Sequence, residues 1–445
     1  MASTIQQFLK EHGISEVEAI IPDMAGVARG KLMPAEKFAE EEGMRLPEAI
    51  FLQTVTGDYP DDQSAMNPSD IDIVLRADPN TVRVVPWAAE PTAQVIHDCF
   101  YGDGRPVTMA PRYVLRRVLE LYEAHGWEPV VAPELEFFLV EPNIDSDYPL
   151  KPPVGRSGRP EIGRQAYSIA AVNEFDPLFD DMYSFCEAQD IEIDTLIHEA
   201  GAAQMEINLL HGYPMNLADQ AFLFKRTARE AAMRHKMYAT FMAKPMAKEP
   251  GSAMHLHQSI IDVKTRQNVF SAPDGSPTSL FFSHIAGLQR YLPAAMSLFA
   301  PNVNSYRRTT PHNSAPINVH WGYDNRTAGL RIPMSTPAAR RVENRCGGAD
   351  ANSYLAMAAS LACGYLGMVE GLKPTEPISG SAYDLPFQLP RTLAEALRLL
   401  RECRPLVDLF GERFVAAYGA VKESEHEAFL QVISAWEREH LLLNV

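Results

Sequence analysis

Two carboxylates stand two positions apart in an apolar run, Glu134 and Glu136 within VAPELEFFLV (131–140). On a strand, side chains two apart share one face. Like charges placed side by side between Phe and Leu are costly unless something positive sits between them. Three further segments have the same period. Gln204, Glu206 and Asn208 alternate with Met205, Ile207 and Leu209; His255, His257 and Ser259 alternate with Met254, Leu256 and Gln258; Arg341, Glu343 and Arg345 alternate with Val342 and Asn344. A solvated sheet face usually mixes Thr, Ser, Lys and Glu. These faces are almost exclusively Glu, His and Arg, which predicts a sheet curved around a cleft whose carboxylates and imidazoles bind divalent metal. Carboxylate-rich ligation with at most one His per ion suits Mg²⁺ or Mn²⁺. Glu199 adds a carboxylate just ahead of Glu206. With two or more ions, each of the paired glutamates holds a different one and the like charges are neutralised.

Arginines complete the chemistry. Arg307, Arg308, Arg326 and Arg331 fall within residues 306–333. Arginine takes phosphate and carboxylate bidentately, and metal, phosphate and arginine together suggest nucleotide-dependent phosphoryl transfer. GVARGKL (26–32) resembles a phosphate loop but lacks its spacing and the Ser or Thr after Lys, so it reads as a turn in a small strand region. No GxGxxG and no Ser-His-Asp or Cys-His arrangement stands out.

The elements that must position these residues are legible in outline. Residues 1 to about 105 read as a short amphipathic helix, then small strands (VEAIIPD, DIDIVLR, TVRVVPW, AQVIHDCF) separated by Pro, Asp and Gly. YGDGRPV (101–107) is a turn cluster and a boundary. APRYVLRRVLELYEAHG then has Pro at a helix start and Gly at its end. Strand-like and helical segments alternate to about 375, with NLADQAFLFKRTAREAAMRHK and ADANSYLAMAASLACGYLGMVEGL as clear helices, and the C-terminal part is helical and amphipathic.

The 445 residues are 46% hydrophobic and 22% charged, ordinary for a soluble globular protein. Net charge is −17, which argues against nucleic acid or an anionic membrane as partner. Five scattered cysteines without a CxxC pair fit free thiols in a reducing compartment. There is no signal peptide pattern and no apolar run of the ~18 residues a membrane span needs, so the expectation is a cytoplasmic protein.

PELEFFL, HEAGAAQMEINL, KPMAKEPGSAMHLHQSI, NSYRRTTPHNSAPINVHWG, NRTAGLRIP and ARRVENRCGGADANSYL resemble, in order, the motifs of the glutamine synthetase family, from about residue 15 to the C-terminus. The resemblance implies an α+β protein: an N-terminal β-grasp domain (1–105) and a large catalytic α/β domain (106–445) with a curved antiparallel sheet. It implies a homo-oligomer, a dodecamer of two six-membered rings with active sites between neighbours. It implies that ATP phosphorylates the γ-carboxylate of L-glutamate and that an amine displaces phosphate to give an amide. Carried over by motif, Glu136, Glu199 and Glu206 would hold one metal, and Glu134, His255 and Glu343 a second, with two or three Mg²⁺ or Mn²⁺ per site. His257 and Ser259 would contact the nucleotide. Arg326, Arg331 and Arg341 would clamp phosphate, Arg308 and Arg345 would hold glutamate and its acyl phosphate, and Gly251 would offer a backbone contact over glutamate.

The sequence departs from the ammonia-using pattern in the acceptor pocket. Those enzymes have a Glu six residues beyond the last Arg of the NSYKR-like motif, which closes the site and takes a proton from ammonium; six beyond Arg308 stands Ser314. In place of the Asp of an N-terminal FDGSS motif, IFLQTVTGDY (50–59) offers Gln53 or a neighbour, and Pro250 replaces the usual Asn before Gly251. The resemblance is to the γ-glutamylpolyamine (γ-glutamylputrescine) synthetase branch, which joins glutamate to putrescine or related primary amines. Asp58, Asp61 and Asp62 are then candidates to receive a distal ammonium group, against the plainer reading of an exposed acidic loop. Ordinary glutamine synthetase, an ethanolamine or aromatic-amine ligase, and a catalytically silent scaffold or nitrogen sensor are the alternatives, the last disfavoured because all six metal ligands are present. Tyr383 resembles the tyrosine adenylylated in bacterial glutamine synthetases, although a tyrosine in a surface loop is the simpler expectation.

Overall fold

The structure, a computed structural model, describes residues 4–40, 44–311 and 315–445. The first sheet is built from β1 (Glu16–Pro22), β2 (Ala28–Pro34), β3 (Met44–Pro47), β4 (Asp72–Ala77), β5 (Arg83–Val84) and β6 (Thr92–Phe100). Its order is β2-β1-β6-β4-β3, with β5 also on β6. Only β1 and β6 run parallel. GVARGKL is the turn into β2 and part of that strand, as its spacing implied. Gly30 faces Ala19 so closely that a Cβ would lie 1.9 Å from the Ala19 carbonyl oxygen, so this glycine serves strand pairing rather than phosphate. TVRVVPW contributes only the two residues of β5; Pro86 has no N–H to extend the ladder.

Helix Pro111–Glu123 follows, with Pro at its first turn. Its Arg112, only 2% exposed, joins three regions. Nη1 donates to Asp98 on β6 at 2.6 Å and Nη2 to Asp78 at 2.6 Å, while Nε and Nη2 reach Asp219 on helix Pro214–Arg234 at 3.1 and 3.0 Å. Removing one partner of a buried charge network strands the rest, at a cost of about 3–5 kcal/mol. Arg112→Ala is therefore expected to lower the midpoint of thermal unfolding markedly, whereas Arg404→Ala, which breaks exposed pairs with Asp408 and Glu412, should leave it nearly unchanged.

The second sheet carries the chemistry. Its strands are β7 (Trp127–Val140), β8 (Ile193–His198), β9 (Gln204–Leu209), β10 (Tyr238–Thr240), β11 (Met254–Asp262), β12 (Trp321–Tyr323), β13 (Leu330–Ile332) and β14 (Val342–Asn344). The order is β12-β13-β14-β11-β7-β9-β8, with β10 also on β7. All pairings are antiparallel except β12 with β13. One face of β7 sends Leu135, Phe137 and Leu139 into the core, where Phe137 packs against Phe224 and Phe241. The other face holds Glu134 and Glu136. Helix Ser353–Glu370 is buried along nearly its whole length and ends at left-handed Gly371. Helix Glu412–Leu430 reaches back to the first sheet's loops: the Val55 N–H donates to Glu425 at 2.8 Å and Arg413 Nη2 to Glu48 at 2.6 Å. All five cysteines are free thiols, four of them buried. No helix among the described residues is long and apolar enough to cross a membrane.

Candidate active site

The register of the second sheet turns the four polar faces into one. Glu343 on β14 stands opposite Arg331 on β13 and His257 on β11. His255 stands opposite Glu134, Glu134 opposite Asn208, and Glu136 opposite Glu206. Glu134 accepts from His257 Nε2 at 2.9 Å and from His255 Nδ1 at 3.2 Å. Glu136 Oε2 accepts from the Ala253 N–H at 2.8 Å and from Gln204 Nε2 at 3.2 Å.

Among the described residues, ligand atoms converge in three groups, each spanning at most 4.8 Å: Glu136, Glu199 and Glu206; Glu134, Glu206 and His255; and Glu134, His257 and Glu343. The first is the set expected for one ion. The set expected for the second is divided between the other two groups, which share Glu134, and His255 Nδ1 lies 3.9 Å from Glu343. His257, expected on the nucleotide side, stands within ligand distance as well.

The electrostatics show what this donor set accommodates. Burial, reinforced by Glu134, Glu136, Glu199 and Glu343, pushes the Glu206 carboxyl up to about 10. Burial and then Glu199 push Glu136 up to about 7, and burial raises Glu199. Glu134 and Glu343 go the other way. Burial opposes their ionisation, but hydrogen bonds from His255 and His257 hold Glu134 far below the usual range, and Arg345 with the two imidazoles holds Glu343 at about 2. Burial and then Arg345 depress His255 to about 4, which leaves a neutral imidazole able to ligate. No ion pair among the described residues reaches Glu136, Glu199 or Glu206. A corner of three crowded oxygens with no cation of its own fits a hard divalent ion.

The arginines are held differently. Arg331 donates to Glu343 at 2.8 Å and to Asp324 at 2.6 Å; Arg345 donates to the other oxygen of Glu343 at 2.5 Å. Arg308 donates to the carbonyls of Cys346 and Arg345 at 3.1 and 3.0 Å. It is wedged under Gly251, where a Cβ would meet Arg308 Cγ at 2.6 Å and the Ala243 carbonyl at 2.7 Å, so the loop fits only without a side chain. Arg341 Nε donates to His257 Nδ1 at 3.1 Å.

Two cavities meet across Glu134 and Asn208. One, of about 450 Å³, is lined by the metal-ligand carboxylates Glu134, Glu136, Glu199 and Glu206, by His255 and Gly251, and by Arg308, Arg326, Arg331 and Arg345. The other, of about 920 Å³, is lined by His257, Ser259 and Arg341. The three arginines expected to clamp phosphate thus divide, Arg326 and Arg331 on the acidic side and Arg341 on the other. Tyr383 is half-buried and lines the acidic cavity, where the simpler expectation was a surface loop. Tyr167 lines it too, from an irregular segment in which no period could mark it. Asn208 was visible on its strand face, but not that it lines both cavities with a buried Oδ1 that lacks a hydrogen-bond partner among the described residues. Ser314 lies outside the described residues. Gln53, Asp58, Asp61 and Asp62 line neither cavity of their own chain; Gln53 donates to the Gly57 carbonyl at 3.1 Å.

Residues 108–441 match the family described as glutamine synthetase, catalytic domain. The chain is 34% identical to gamma-glutamylputrescine synthetase PuuA of Escherichia coli, across 99% of this chain and 94% of that protein. It is 33% identical to glutamate–isopropylamine ligase of a Pseudomonas species, across 97% and 96%. Among solved structures, ligand-free GmaS superposes with a TM-score of 0.84 at 26% identity, covering 99% of each chain. Fold, matched span and full-length identity agree: the chain belongs to the glutamine synthetase family of γ-glutamyl ligases.

Proposed function

We propose that the protein joins the γ-carboxylate of L-glutamate to a primary amine, a polyamine such as putrescine, using ATP and passing through γ-glutamyl phosphate. The observation that carries this is the pair of cavities meeting at Glu134, one acidic and arginine-rich, the other on the His257–Ser259–Arg341 side. Glu136, Glu199 and Glu206 would hold one Mg²⁺ or Mn²⁺, and Glu134, His255 and Glu343 a second; bound there, the ions offset the charge of the transferring phosphoryl group. His257, Ser259 and Arg341 receive the nucleotide. Arg308 and Arg345 orient glutamate, with Gly251 above it. Arg326 and Arg331 face the phosphoryl group as it moves.

The acceptor is the finer part of the proposal. Ser314 is a smaller side chain than the Glu of the ammonia-using pattern, which by size suits an amine larger than ammonia, and the relatives' names carry putrescine and isopropylamine, both primary amines. Residues 1–105 act as a separate N-terminal domain, and the protein works as two stacked six-membered rings. The segment around Asp58 is tied to helix Glu412–Leu430 through Val55 and Glu425 and lines neither cavity of its own chain, so any role at an acceptor pocket would be at a neighbouring subunit's. Asp58→Ala should then lose activity towards diamines with metal binding intact; an unchanged diamine rate removes that role.

The test of the whole reading is phosphate release with ATP, Mg²⁺ and glutamate against ammonium, putrescine, cadaverine, spermidine, spermine, ethanolamine and a monoamine. Release with diamines and not with ammonium is expected. Release with ammonium alone would make this an ordinary glutamine synthetase, and silence throughout with metal bound would favour a non-catalytic role.

A further inference from the structure

We propose that Glu161 and His198 form a positioning pair that ties the loop carrying Tyr167 to the carboxylate Glu199; the proposal rests on the ligase reading above. Glu161 lies in residues 141–168, which hold no strand or helix beyond one isolated bridge between Val154 and Pro160. Charged residues in such a segment ordinarily face water. The Glu161 side chain is instead 4% exposed and the His198 ring 0%, with Nε2 and Oε1 2.6 Å apart. The other ring nitrogen, Nδ1, faces the main-chain carbonyl of Glu199 at 2.6 Å. One imidazole therefore bridges a loop carboxyl and the backbone that presents Glu199 at the end of β8.

The surrounding contacts converge on the same junction. The Tyr167 N–H donates to the His198 carbonyl at 2.8 Å and the Arg164 N–H to the Ala200 carbonyl at 2.7 Å. Gln165 Nε2 donates to Glu161 Oε1 at 3.3 Å. Arg164 and Tyr167 both have left-handed backbones, with φ of 77° and 63°, which non-glycine residues keep only where their surroundings hold them. Glu161 Oε2 is buried without a hydrogen-bond partner among the described residues, so solvation does not explain why this carboxyl is inside. Its evident partner is His198. Tyr167 and Glu199 line the same cavity. The pair thus fixes one wall of the acidic cavity to one of its ligands, without itself touching substrate. The second cavity includes neither residue of the pair.

The test compares Glu161→Ala and Glu161→Gln with the natural protein in the intact oligomer. Mn²⁺ binding is followed by electron paramagnetic resonance, and KM is measured for ATP and for putrescine (or ammonium, if the natural protein uses that). Replacing a group that orients a metal ligand typically weakens metal binding about 10–100-fold. Glu161→Ala is expected to lower Mn²⁺ affinity by about tenfold or more and to raise the amine KM, with the ATP KM unchanged; Glu161→Gln, which keeps an acceptor for His198, should recover most of both. If Glu161→Ala does not fold, His198→Gln carries the same expectation, since it keeps the reach to Glu161 and loses that to the Glu199 carbonyl. Natural Mn²⁺ affinity and amine KM in the variant would overturn the proposal. So would a fall of every parameter together with the melting temperature, uncorrected by Gln. If the natural protein turns over no amine, the ligase reading fails while the Mn²⁺ titration still decides the pair.

Discussion

Arg326→Ala is expected to lower kcat for amine-dependent phosphate release by about 10³-fold, the scale on which an arginine stabilises a transferring phosphoryl group. The melting temperature should stay where it is. The site's arginines are tied in different ways. Arg331 and Arg345 grip the two oxygens of Glu343, and Arg308 is bonded to two main-chain carbonyls. Each has a structural duty, so its removal would confound catalysis with folding. No hydrogen bond or ion pair joins Arg326 to another described residue, yet it lines the acidic cavity and its charge is felt at Glu199. A guanidinium free of carboxylate partners can turn towards charge that develops during transfer. Steady-state kinetics with thermal melts check this. A loss of less than about tenfold would leave Arg326 outside the transfer step, because a transition-state charge contact is worth more than that.

How much of this was legible in the sequence depends on regularity. Period two on β7, β9, β11 and β14 put Glu134, Glu136, Glu206, His255, His257 and Glu343 on common faces, and antiparallel register did the rest. The helices at 111–123, 214–234 and 353–370 announced themselves by spacing, the first also by Pro at its start and Gly just beyond its end. Tyr167 and Glu161 belong to a segment without any period, where nothing local shows that Glu161 is buried against His198 or that the exposed Tyr167 borders the cavity. The division of Arg326 and Arg331 from Arg341 was equally hidden, because it depends on which side of Glu134 each short strand emerges, and that follows from sheet curvature. Tyr383 was read as a surface loop since nothing local shows that a cavity opens beneath it.

Glu206→Gln should separate the two roles of the acidic corner most sharply. The variant is expected to lose metal affinity by at least about 100-fold, since removing a ligand oxygen costs no less than the roughly 10–100-fold lost when a group that merely orients a ligand is removed, and with it essentially all phosphate release. Its metal-free form should nevertheless be at least as stable as the natural protein at pH 8, since the amide is spared the cost of keeping a buried carboxyl protonated above its unfolded pKa. The pH dependence gives the sign. A carboxyl whose folded-state pKa is raised above its unfolded value of 4.5 destabilises the folded state increasingly as pH climbs from that value towards the raised one. Glu206, raised to about 10, and Glu136, raised to about 7, act in this sense. Glu134 and Glu343 are depressed, so their stabilising contributions are complete above 4.5 and do not vary in the alkaline window. His255, depressed to about 4 from 6.5, adds no slope above about 7. Between pH 7 and 9 the metal-free natural protein should therefore lose stability as pH rises, Glu206→Gln should lose less, and saturating Mg²⁺ should both flatten the slope and raise the melting temperature by mass action. Proton release on Mg²⁺ addition at pH 8 in weak buffer should accompany this for the natural protein and shrink in Glu206→Gln. A metal-free protein whose stability is flat across that window, releasing no protons on Mg²⁺ binding, would mean that the corner is already ionised and neutralised by something other than the cation.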